Sequence, residues 1–118
     1  DMHEPYAHEL IALADDIAKE KNIKVQHGIY LGDMGPAFET PAEYRMYRIL
    51  GADAVGMSTV PEVLVARHCG IKVFGMSIIT DLGGFDVPVA VSHEEVQIAA
   101  NEAQPRMTEI MREMIRRS

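Results

Sequence analysis

A chain of 118 residues carries 11 Lys and Arg against 18 Asp and Glu, a formal net charge of −7. That balance argues against a nucleic-acid groove, because phosphate backbones demand clustered cations. The length allows one domain with a real core and not two. No apolar run approaches the roughly 20 residues of a membrane span.

The dense basic cluster Arg112, Arg116 and Arg117 falls where cations favour a helix C-terminus. The single cysteine, Cys69, excludes an internal disulfide and fits a reducing compartment. It is expected to pack as a small apolar residue just after a helix. The opening Asp1-Met2-His3-Glu4 has no signal-peptide character and does not look like a natural start, so the chain reads as a fragment.

In chain order, His8 to Lys21 places Leu10, Ile11, Leu13, Ala14, Ile17 and Ala18 at helical spacing. Asn22 is the break, and Ile23 to Leu31 reads as a strand. Thr40-Pro41-Ala42-Glu43 has the hydroxyl, proline and glutamate of a helix start. That helix runs to about Leu50 and stops at Gly51, a residue suited to the left-handed position after a helix. A short strand, Ala54 to Met57, and a helix, Val60 to His68, follow. Ile71 to Thr80 is the most apolar run and reads as a buried strand. Asp81 to Val91, with Gly83, Gly84 and Pro88, reads as a mobile loop. Ser92-His93-Glu94-Glu95 opens a last helix, with Val96, Ala99, Ala100, Ala103, Met107, Ile110, Met111 and Met114 on one face. Pro105 is expected to kink or split it. Alternating strands and helices with short connections give an α/β fold with a largely parallel central sheet.

In such a sheet the strands end on one rim, where small ligands bind. The first strand delivers Tyr30 and then Gly35 to Thr40, the second Val55, Met57 and Ser58, and the third Thr80 and Asp81. Gly56 to Thr59 forms a small-residue and hydroxyl turn before a helix N-terminus, which favours anions. An aromatic face at Phe38, carboxylates at Glu39 and Asp81, hydroxyls and a thioether suit a flat heteroaromatic ligand joined to a polar group. Each residue also has a plainer reading: Phe38 and Met57 as core, Glu39 as a solvated or dipole-facing carboxylate, Ser58 as a helix cap, Asp81 as a turn residue, His93 as a first-turn surface residue. No His/Cys spacing supports a metal site, and no phosphate-binding or dinucleotide glycine motif is present.

These residues carry a resemblance. Gly35-Pro-x-Phe-Glu-Thr40, the block Gly51-Ala-Asp-Ala-Val-Gly-Met-Ser-Thr-Val-Pro-Glu62, Val63 to His68 and His93-Glu-Glu-Val96 resemble the trimeric family of purine nucleoside phosphorylases. The resemblance implies the C-terminal part of a single phosphorylase domain over residues 1–118, a three-layer α/β/α fold incomplete in this chain. It implies a cytoplasmic homotrimer that binds no nucleic acid or membrane. It further implies reversible phosphorolysis of purine nucleosides in purine salvage, with orthophosphate as co-substrate and no cofactor. Phe38 then packs on the purine and Glu39 accepts hydrogen bonds from its ring N–H groups. Val55 and Met57 line base and ribose, Tyr30 contacts the ribose, and Ser58 binds phosphate. Thr80 stands at the same rim, Asp81 faces the base, and His93 bonds the ribose 5′-hydroxyl.

Two departures from the family pattern bear on this reading. Members acting on 6-oxopurines usually carry asparagine where this chain has Asp81. An amide donates to O6, whereas an ionised carboxylate only accepts. Glu39 therefore favours 6-oxopurines and Asp81 favours 6-aminopurines, an opposition that predicts a broadened base tolerance. About half of a family subunit is absent, so this stretch alone is expected to be inactive. The alternatives are a methylthioadenosine phosphorylase or hydrolytic nucleosidase of the same superfamily, and an inactive fragment or homologue with a binding or assembly role.

Overall fold

The computed structural model describes residues 1–83 and 92–118. Its core is where two amphipathic helices meet. Helix α1 spans His8–Glu20, and Ala14, Ile17 and Ala18 are its buried residues. The long C-terminal helix, His93–Arg117, buries Ile110 and Met114. Ile17 and Ile110 are 0% and 1% exposed, and Leu10, Leu13, Ile23, Val25, Phe74, Met76 and Met111 pack around them. The least exposed face of the C-terminal helix is the expected stripe from Val96 to Met114. Burial of these apolar stripes is what holds two otherwise solvated helices together.

Between these helices in the chain lie β1 (Tyr30–Gly32), α2 (Pro41–Ile49), β2 (Ala54–Gly56) and α3 (Val60–His68), which makes the last helix α4. The two strands pair in parallel, Tyr30 with Ala54, Leu31 with Val55 and Gly32 with Gly56. Asp53 fixes where the pairing begins. Its carboxylate accepts from Ile29 N–H at 2.8 Å, while its own N–H donates to the Ile29 carbonyl at 2.9 Å.

Local signals in the sequence are realised closely. Thr40 caps α2 reciprocally with Glu43, and Ser92 caps α4 with Glu95. Gly51, at φ 93°, takes the left-handed position after α2.

Four expectations are corrected in whole or in part. The strand expected over residues 23–31 is confined to Tyr30–Gly32. Residues 71–80 form no strand. The reason is shared: a strand exists through a ladder of hydrogen bonds, and among the described residues only β1 and β2 supply one another with partners. Pro105 does not split α4, which runs unbroken through it. The carbonyl that Pro105 leaves without an N–H is that of Asn101, an exposed residue open to water. Cys69 follows α3 as expected but is exposed rather than packed. The expected loop from Asp81 to Val91 lies mostly outside the described residues.

The basic end of α4 is an ion-pair node. Arg117 reaches across to Glu20 at 2.6 and 3.1 Å and back along its own helix to Glu113 at 2.8 Å. Arg116 also approaches Glu113, at 3.6 Å. No helix among the described residues is long and apolar enough to cross a membrane.

Two outcomes test this core. Ile17→Ala should lower unfolding free energy by about 2–5 kcal/mol in denaturant melts, because the α1–α4 contact cannot close the cavity. A loss under about 1 kcal/mol would place the core elsewhere. The second concerns pH. Glu20 and Glu113 are held below the ordinary 4.5, chiefly by hydrogen bonds from Arg117. Depressed carboxylates stabilise fully above their unfolded-state value, and that contribution is lost as pH falls through the lowered one. Arg117→Met should therefore flatten the fall in melting temperature between about pH 5 and pH 3. An unchanged slope would show that the node contributes nothing.

Candidate active site

Parallel pairing puts the carboxyl ends of β1 and β2 at one edge, and both lead directly into loops there. Asp33 N–H donates to the Gly56 carbonyl at 2.8 Å, carrying the alignment one step past the strands. The loop after β1 then folds over the end of β2. Gly35 has φ 66°, and a Cβ there would lie 2.7 Å from Met57 Sδ. Only a glycine allows both the backbone turn and this approach.

Tyr30, Met57 and Ser58 gather beneath that loop. Tyr30 Oη lies 3.4 Å from Ser58 Oγ and accepts from Ser58 N–H at 3.4 Å. Ser58 Oγ is 3.1 Å from Thr59 Oγ1. Val55 sits mid-strand in β2, half-buried opposite Leu31. Ser58 is not the helix cap. That position falls to Thr59, with φ 73° and ψ −56° and no side-chain capping bond. The Val60 N–H donates to the Ser58 carbonyl at 2.8 Å, closing a three-residue γ-turn. A β-branched residue at positive φ is strained, and such strain collects at ligand sites.

A second group forms around the first turn of α2. Tyr44 Oη donates to Glu39 Oε2 at 3.1 Å. Its ring rests on Gly83, where a Cβ would be 2.7 Å from Cδ1. Tyr44's hydroxyl is pushed up to about 12, first by desolvation, then by the Glu39 hydrogen bond and the charges of Glu39 and Asp81. Asp81 is half-buried and accepts from Thr80 Oγ1 at 2.9 Å. Tyr44 thus joins the loop after β1 to the end of the segment that would be the third strand.

Several expected site residues differ in exposure. Phe38 is 49% exposed and Met57 43%, so neither is buried within these residues. Glu39 is half-buried and bonded rather than free in solvent. His93 is the exception among the expected residues. It is exposed at the first position of α4, with Gln97 Nε2 3.5 Å from its ring Nε2. Among the described residues, no hydrogen bond ties it to the rim.

A hollow of about 560 Å³ lies nearby and is not this rim. It is walled by residues 23–30 and 74–79 and floored by α1 and α4, and of the site residues it touches Tyr30 and its neighbour Thr59. Among the described residues no three His, Cys, Asp or Glu side chains cluster to hold a metal.

The phosphorylase superfamily matches residues 1–116. This chain belongs to that superfamily. It is 41% identical over 115 residues to purine nucleoside phosphorylase 1 of Bacillus subtilis, covering 98% of this chain and 42% of that protein. It is 49% identical over 96 residues to purine nucleoside phosphorylase 1 of Geobacillus stearothermophilus, covering 81% of this chain and 35% of that one. Its fold superimposes on Schistosoma mansoni purine nucleoside phosphorylase in complex with inosine, with a TM-score of 0.92 and 38% identity over 98% of this chain and 42% of the other. The complex of that enzyme with adenosine gives 0.91 and 36%, over 98% and 43%. The chain therefore spans about two-fifths of the length of these relatives.

Two residues at this site escape a reading of the sequence. Tyr44 reads there as an ordinary helix position, although it lies five residues beyond Glu39 on the half-buried face that it shares with Glu43 and Tyr47. Thr59 reads as part of a turn, and nothing in its identity announces a positive φ. Replacing Thr59 with Gly should relieve the γ-turn and raise unfolding free energy by about 1 kcal/mol, the strain released less the extra freedom of the unfolded chain. A drop in the denaturation midpoint would show that the turn is not strained.

Proposed function

We propose that the protein to which these residues belong catalyses reversible phosphorolysis of purine nucleosides, giving free base and ribose 1-phosphate. One observation carries this reading: in the loop and helix after β1, Tyr44 bonds Glu39 and lies in the field of Asp81, while Tyr30 and Ser58 approach one another where β2 ends. Phe38, half-exposed beside Glu39, offers a face for the purine. Glu39 accepts from ring N–H groups, and Val55 and Met57 line base and sugar. Tyr30 contacts the ribose. Ser58, at the N-terminal end of α3, takes phosphate, which a helix N-terminus favours. His93 serves the ribose 5′-hydroxyl. Thr80 holds Asp81 by its hydroxyl.

These roles suit the chemistry. Cleavage of the glycosidic bond develops positive charge on the ribose and negative charge on the departing purine. Phosphate close to the sugar steadies the first, and a donor or proton at N7 steadies the second. No cofactor enters such a displacement; orthophosphate is the second substrate.

Residues 1–118 form the C-terminal part of one phosphorylase domain on this reading. The apolar hollow bounded by residues 23–30 and 74–79 is then where the rest of the sheet packs, giving those segments the partners they lack here. Assembly as a homotrimer, a cytoplasmic setting and a place in purine salvage belong to the same proposal and rest on the resemblance in sequence. The lone cysteine supports the setting.

Asp81 favours a second substrate class. As a carboxylate already accepting from Thr80, it accepts readily from a 6-amino group and opposes a 6-keto oxygen. In the complete protein, with phosphate and either inosine or adenosine, Asp81→Asn should shift the kcat/KM ratio toward inosine by about tenfold or more. Unchanged preference would remove Asp81 from base recognition. Release of base without phosphate would make the enzyme a hydrolase.

A further inference from the structure

We propose that Tyr44 is a positioning residue for base selection, holding Glu39 so that its carboxylate favours 6-oxopurines. The inference rests on the proposed role of Glu39 as the acceptor for the purine ring. Tyr44 Oη donates to Glu39 Oε2 at 3.1 Å, which occupies one acceptor direction and leaves the others for ring N–H groups. A carboxylate already held in one orientation loses less freedom when a base arrives.

The ring of Tyr44 is fixed independently of its hydroxyl. It rests against Gly83, close enough that a Cβ at residue 83 would approach Cδ1 to 2.7 Å. Asp81, two residues earlier, contributes to the field at the hydroxyl. The loop bearing Glu39 and the segment bearing Asp81 are thereby tied to one side chain. The hydroxyl's ionisation lies near 12, so it remains a donor at any pH suited to an assay.

The consequence is selective. A 6-oxopurine carries a hydrogen on N1 and gives it to the carboxylate; adenine has a bare N1 and gives nothing there. Orienting Glu39 therefore rewards inosine and leaves adenosine nearly untouched. A residue that merely supported the fold would affect both alike.

The test is Tyr44→Phe in the complete protein, which keeps the ring on Gly83 and removes only the hydroxyl. KM for inosine should rise about 3- to 10-fold, with kcat changed less than about twofold and both adenosine constants within about twofold. Gly83→Ala, which displaces the ring, should give the same inosine-selective rise. The double variant should cost no more than the larger single change, as expected of one shared interaction. Unaltered inosine KM in Tyr44→Phe overturns the proposal, and so do equal losses for the two nucleosides. If the unsubstituted protein degrades neither nucleoside in phosphate, the functional reading itself fails and Tyr44's role goes with it.

Discussion

Parallel pairing of β1 and β2 is the constraint on which the site depends. In an antiparallel pair the two loops would leave at opposite edges, and Gly35 would never meet Met57. Parallel register, begun by Asp53 and continued past the strands by Asp33, sends both chains out together. The strands are only three residues long, so a few backbone hydrogen bonds set the arrangement. The glycines at their ends allow it. A Cβ on Gly32 would press into Val60 to 2.7 Å, and one on Gly56 would collide with the Tyr30 hydroxyl.

The energetics of the chain are divided. Its apolar stability resides in α1 against α4, where Ile17 and Ile110 lose nearly all contact with water. The site is instead assembled from half-exposed residues held by hydrogen bonds, turns and one strained backbone position. Such a division is usual for enzymes: a well-packed region holds the frame, while loops on its edge carry the chemistry. Here the frame is partial as well, since Ile29, Ile71 and Ile79 stand 62%, 56% and 60% exposed along segments without strand partners. A chain spanning about two-fifths of its relatives' length leaves such surface uncovered.

Tyr44 shows how distant segments are joined without a large core. Its helix begins at a reciprocal cap between Thr40 and Glu43, which sets the direction of the first turn. That turn brings the Tyr44 hydroxyl to Glu39, its ring to Gly83 and the side chain into the field of Asp81. One phenol, kept protonated first by its burial and then by its acidic neighbours, is thus bonded to Glu39 and lies in the field of Asp81, the two carboxylates that sequence reading alone set in opposition over the choice of base.

Local chemistry was legible in residue order. Caps at Thr40 and Ser92, the left-handed turn at Gly51, and the apolar stripes of α1 and α4 each depend on residues a few positions apart, so the sequence by itself determined them. The resemblance of Gly51 to Glu62 to phosphorylases was equally local, and it fixed the superfamily. Strand extent was not legible, because residues 23–29 and 71–80 have strand composition but pairing requires neighbours from elsewhere. Nor was the link from Glu39 through Tyr44 to Asp81, or the positive φ of Thr59. These arise when segments far apart in the chain are pressed together, and only the tertiary structure decided them.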